Sequence, residues 1–160
     1  MTLNPRGATA PPVTHTASRG RPPTPPSAPA TARWSGAPAT WAHRHPVGRA
    51  VSLAVGLGAL GGAVALGGRH DKVLWFCAVA PDTALLLGIA GAPTWHRMPS
   101  YAVRPYNVLH SPAVPAVLLT AAALTGRRRL AVAGLAWLGH IGWDRACGYG
   151  PRDAAGYVTR

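Results

Sequence analysis

Near its C-terminus the chain reads WLGHIGWDRACGYG, Trp137 to Gly150, an apolar helical run with His140, Asp144 and Arg145 where apolar residues are expected. The sequence has only four acidic residues, Asp71, Asp82, Asp144 and Asp153, and two of them, Asp82 and Asp144, fall inside apolar runs. His140 and Asp144 stand i and i+4, so they share a helix face. Upstream, Asn107 and His110 stand i and i+3, with Tyr106 beside them, and share a face of their own. Asp82, His110, His140 and Asp144 together make a mixed nitrogen and oxygen ligand set suited to a divalent metal: zinc, iron or manganese. A metal with an open position would activate water for hydrolysis of a membrane-associated substrate. The same groups can pass protons or receive a small polar solute. They can also do no more than bond one another and fix helix register, with Tyr106 and Asn107 satisfying leftover groups. Asp144 reads equally as a second-sphere partner that holds the tautomer of His140. Arg145 lies about 100° around the helix from Asp144 and either snorkels to the interface or pairs with Asp144 or Asp82.

Ionisable groups at bilayer depth cost about 2.5–3.5 kcal/mol each on insertion scales, so they need elements that turn them inward. Four segments offer themselves: Ala50–Gly68 without a charge, Val73–Ala92 with Asp82 alone, Pro105–Gly126 with no Asp, Glu, Lys or Arg, and Leu130–Gly150. Each is close to the roughly twenty residues that cross a hydrocarbon core of about 30 Å, and none shows the polar face of a soluble bundle helix. The expected fold class is all-α, a four-transmembrane-helix bundle with helices near 50–68, 73–92, 105–125 and 130–149. Short connections make neighbours antiparallel. Counted from the face with the 93–104 loop and the C-terminus, Asp82, His110, His140 and Asp144 lie about 9–15 Å deep at the helical rise. Three helices therefore carry ionisable groups at matching heights. Pro81 is expected to break a backbone bond mid-span and free the carbonyl of Cys77 for the polar site. Gly58 and Gly62 form a GxxxG, expected to admit close contact with another helix.

Residues 1–46 differ in kind: they hold ten of the seventeen prolines and no acid. The expectation is a disordered Pro/Ala/Arg-rich N-terminal tail, 1–46, ahead of an integral membrane domain, 47–160. The tail has no apolar h-region of a secretory signal; PPTPPSAP, Pro22–Pro29, can dock to a proline-recognition groove, but the favoured reading is a plain flexible cytoplasmic tail. The net charge is +12, with a single Lys, Lys72. Basic residues gather in the tail and at the ends of the apolar runs, where anionic lipid attracts them. No nucleic-acid reader motif is present, so the expected partner is the lipid bilayer and not nucleic acid. Arg33, Arg44, Arg49, Arg97, Arg104, Arg152 and Arg160 flank one face, against Arg69, Lys72, Arg127, Arg128 and Arg129 on the other. That bias favours a multi-pass protein of the cell membrane with both termini cytoplasmic. Cys77 and Cys147 lack CxxC spacing and read as small buried apolar side chains.

The motifs also carry a resemblance. PYNVLHSPAVP, with Pro81-Asp82 upstream and HIGWDRACGYG downstream, resembles a family of small, mostly bacterial integral membrane proteins known as domain of unknown function 4260. Its pattern is a Pro-Asp in one helix, Tyr-Asn-x-x-His in the next, and His-x-x-x-Asp-Arg before Gly-Tyr-Gly in the last. Here these are Pro81 and Asp82; Tyr106, Asn107 and His110; and His140, Asp144, Arg145, Gly148, Tyr149 and Gly150. The likeness spans about 73–151 and implies a membrane bundle without implying an activity. The long Pro-rich N-terminal segment is atypical of it.

Whether the chain is an enzyme is left open at this level. A purely structural network, a metal centre, a proton or solute pathway (which at four helices per chain needs a homo-oligomer), and an assembly or partner-binding role all remain. At least three of Asp82, His110, His140 and Asp144 are expected to converge on one interior cavity. Gly148 and Gly150 are expected to end the last helix there, with Tyr149 at headgroup level or folded back over the site.

Overall fold

The computed structural model describes residues 41–89, 91, 94 and 96–159. The tail expected at 1–46 falls outside these up to residue 40, and a short helix α1 occupies Trp41–Arg44. Helix α2 follows at Pro46–Gly67, then α3 at Lys72–Val79, a 3-10 turn at Ala80–Asp82, and α4 at Thr83–Ile89. Next come α5 at Ser100–Leu109, α6 at Ala113–Thr125 and α7 at Arg128–Cys147. Among the described residues there is no strand, only two isolated bridges, Thr94 with Arg97 and Arg152 with Val158. The described part of the chain is all-helical.

The ends of these helices follow from local chemistry. Pro46 opens α2 at a position where a missing N–H costs nothing, and His45 Nδ1 accepts from Val47 N at 3.2 Å. Asp71 caps α3 through Val73 N at 2.7 Å, which gives one of the scarce acids a local role. Gly148, at φ 90°, closes α7 in a Schellman pattern, with Tyr149 N donating to Asp144 O at 2.8 Å and Gly148 N to Arg145 O at 3.0 Å.

Two of the expected helices are not continuous. The segment 73–92 breaks at Pro81, whose nitrogen carries no hydrogen to donate and around which a 3-10 turn, Ala80–Asp82, replaces the α-helix; its residues 90 and 92 lie outside those described. The segment 105–125 begins earlier, at Ser100, and breaks at Ser111 and Pro112 for the same reason. The expected helix 50–68 starts at Pro46, and 130–149 runs from Arg128 to Cys147. Among the described residues two stretches are long and apolar enough to cross a membrane, Pro46–Gly67 and Ser100–Thr125.

Helix α7 lies at the centre, packed on α2, α3 and α6. It runs antiparallel to α2 in very close contact: a methyl on Gly142 would stand 2.6 Å from Gly56 Cα, and one on Gly56 would stand 3.1 Å from Gly139 O. The expected GxxxG is therefore not the contact. Gly58 has no heavy atom within 4 Å of where its side chain would begin, and Gly62 meets only the end of Leu135. The buried residues are mainly small, Ala59, Ala63, Ala84, Ala102, Ala122, Ala133 and Ala136 among them, while Trp75, Phe76, Leu86, Leu87, Val117 and Leu124 point outward. Cys147 is also exposed and Cys77 only partly covered, so neither is the buried filler expected from the sequence.

Candidate functional site

The two helix breaks and the middle of α7 each deliver part of one cluster. At Pro81 the missing N–H and the 3-10 turn disturb the ordinary i−4 bonding. The carbonyl of Ala78 then accepts from His140 Nδ1 at 2.8 Å. The expected acceptor was Cys77, one residue earlier; the turn shifts the carbonyl that faces α7. Asp82 ends this turn. At the second break, Ala113 N bonds Ser111 Oγ at 3.2 Å instead of Leu109 O, and Trp137 Nε1 donates to that carbonyl at 2.7 Å. His110 sits at this break, buried, with its Nδ1 on Tyr106 O at 2.9 Å and its ring stacked on the Tyr106 ring at 3.9 Å between centroids. Helix α7 supplies His140 and Asp144, one turn apart.

Asp82, His110, His140 and Asp144 meet, each offering one ligand atom, and these four atoms lie within 4.8 Å of one another. His110 Nε2 is 3.5 Å from Asp82 Oδ1 and 3.3 Å from Asp144 Oδ2. His140 Nε2 is 3.5 Å from Asp82 Oδ1, 3.6 Å from Asp144 Oδ2 and 3.4 Å from His110 Nε2. These separations exceed the roughly 2.7–3.2 Å of ordinary N–H···O bonds, so the four groups are not bonded to one another at normal range. A carbonyl oxygen only accepts, so both Nδ1 atoms are donors, and a neutral ring turns its Nε2 lone pair to the centre. With both rings neutral, two lone-pair nitrogens and two carboxylates are four acceptors facing each other without a donor.

Not every residue singled out from the sequence joins this centre. Asn107 does not: its side-chain amide exchanges two hydrogen bonds with the backbone of Arg152, Nδ2 to O and N to Oδ1, both 2.8 Å. Arg145 forms an ion pair with neither Asp144 nor Asp82 among the described residues. It lines one cavity with Tyr106, His110, Asp144, Tyr149, Ile141, Gly150 and Pro151. Tyr149 is exposed at the rim of that cavity. Gly150 does not end the helix; it packs on the ring of His43.

Several positioning residues have no signal in the sequence pattern. Trp137 reads as an ordinary apolar helix residue until its indole meets Leu109 O. The segment after α7 folds back as a compact turn: Asp153 Oδ1 accepts from Ala155 N and Tyr157 N, each at 2.9 Å, and Met98 N donates to Gly156 O at 3.0 Å. The buried His43 reaches Thr159 O at 3.3 Å. Arg152, held by Asn107, lies over the Tyr106 ring at 5.5 Å, and so backs the Tyr106–His110 stack. The Asp-x-x-Gly of this turn was the one available cue.

The family model described as Domain of unknown function (DUF4260) matches residues 73–159. The chain belongs to that family. The DUF4260 match takes in all four cluster residues and the C-terminal turn that Asn107 holds, and it leaves out α1 and α2. No curated protein and no solved structure matches the chain.

Proposed function

We propose that this DUF4260 protein is a multi-pass membrane protein whose Asp82, His110, His140 and Asp144 hold one divalent metal ion, and that its activity is hydrolysis of a membrane-associated substrate at that centre. One observation carries the metal reading. Zinc ligand distances of about 2.0–2.2 Å place the donors of a tetrahedron about 3.3–3.6 Å apart, and five of the six separations are 3.3–3.6 Å, with the sixth, Asp82 to Asp144, within 4.8 Å. Tetrahedral N/O sites favour zinc over the octahedral preference of manganese. Both histidines have the outer hydrogen bond that fixes a metal-binding tautomer. A network without metal needs an extra proton on the imidazoles to give the carboxylates any donor, at distances long for such bonds. The chemistry that the ion supplies is water activation, hence hydrolysis.

The membrane part of the reading assigns four spans: α2, then α3 with its 3-10 turn and α4, then α5 with α6, then α7. It is supported by the two long apolar stretches and by the placing of small residues inside and large apolar ones outside, the arrangement in which helices pack in lipid by close backbone approach. The excess of basic residues on one set of flanks, seven against five, favours both termini on the cytoplasmic side of the cell membrane. The bilayer is the partner. The cluster is complete within one chain and calls on no second copy.

The test is the metal content of detergent-purified protein beside His140→Ala and His110→Ala. About one zinc per chain in wild type, lost from both variants while helicity stays, is the expected result. A metal-free wild type with the same fold would leave the four groups as a protonated network and end the metal reading.

A further inference from the structure

The four side chains of the cluster are not held alike. Those of His110, His140 and Asp144 are 6%, 11% and 19% exposed, and that of Asp82 is 46% exposed. Both imidazoles are fixed through Nδ1 on backbone carbonyls, and Asp144 stands within the unbroken α7. Asp82 ends a 3-10 turn, and among the described residues its carboxylate meets only the two imidazoles, each at 3.5 Å. About one turn to either side of it, Val79, Leu86 and Leu87 are all more than half exposed. The least anchored of the four groups thus lies at an opening flanked by apolar side chains.

Building on the metal reading above, we infer that Asp82 fills an exchangeable coordination position: His110, His140 and Asp144 retain the ion, and an oxygen of an amphiphile entering from the bilayer replaces the Asp82 carboxylate. Three fixed ligands and one open position distinguish catalytic zinc sites from structural ones, which keep four. The chemical class of the ligand follows from the opening. Its donor is an anionic oxygen, because a carboxylate occupies the position, and it carries an apolar chain, because the approach is apolar. In the exchange one metal–oxygen bond breaks at Asp82 as another forms to the incoming carboxylate, so donor type and charge at the ion are unchanged.

The experiment uses the full chain in detergent, loaded with cobalt(II) in place of zinc and followed by visible absorption. Asp82→Asn is expected to retain cobalt with affinity lowered about tenfold, while His110→Ala and His140→Ala lose more than about a hundredfold. In wild type, decanoate should shift the cobalt bands saturably where acetate and decyltrimethylammonium, the same chain without oxygen, do not. Cobalt bound by wild type but lost from Asp82→Asn as fully as from the histidine variants overturns the exchangeable position and leaves the metal reading intact. So do bands that decanoate moves no more than the two controls. A wild-type chain that binds no cobalt overturns both.

Discussion

At the scale of single residues, position in the motif does not by itself assign a role. Asn107 shares a helix face with His110, and the sequence places both in one polar cluster, yet the amide of Asn107 turns away to pair with the backbone of Arg152. A primary amide sets an N–H donor of its NH2 beside its carbonyl acceptor, which is the complement of a peptide group's own donor and acceptor. Asn107→Ala is therefore expected to release the segment after α7 and to destabilise the protein by about 1–3 kcal/mol, the range for a buried polar pair left unsatisfied. Limited proteolysis should show it as new cleavage within 152–159, and an unchanged digest would contradict the assigned clamp. The four ligand candidates themselves were legible, because apolar surroundings, turn spacing and equal depth all pointed to the same side chains. The carbonyls of Ala78 and Tyr106 that orient the imidazoles were not, since every residue carries a carbonyl and only the folded path decides which one is free.

At the scale of elements, the sequence locates apolar segments well and their breaks and contact faces poorly. Pro81 and Pro112 were visible, but whether a proline bends a helix or ends it depends on what replaces the lost bonds, and here Trp137 and Ser111 take that part at the second break. The glycines teach the same lesson. In α2 many faces carry small residues, and only packing selects the one bearing Gly56 to meet Gly139 and Gly142 of α7. Gly142→Ala is expected to force these helices apart and to cost about 1–3 kcal/mol as overpacking, whereas Gly58→Ala, with open space around it, should stay within about 0.5 kcal/mol of wild type. Denaturation in detergent compares the two directly. Equal losses would mean that α2 and α7 do not meet along the Gly56 face.

At the scale of the whole molecule, the proposed membrane bundle would hold a single ion at its interior. The arrangement of small residues within and large apolar ones without was not readable from composition, because both kinds fill the same apolar runs. It fits the four spans proposed above, which predict that reporters placed in the 69–71 and 126–127 turns score on the side opposite to reporters placed in the 96–99 loop and after residue 159. Reporters that all score alike would rule out that threading. The claim on which the function rests is narrower, namely that two imidazole nitrogens and carboxylate oxygens enclose one metal. X-ray absorption at the zinc edge of the purified protein measures that shell. The account predicts about four nitrogen and oxygen neighbours near 2.0–2.1 Å, with the outer-shell signature of two imidazoles that falls to one in His140→Ala if any metal is retained. A sulfur shell near 2.3 Å, or a shell without imidazole, would contradict it.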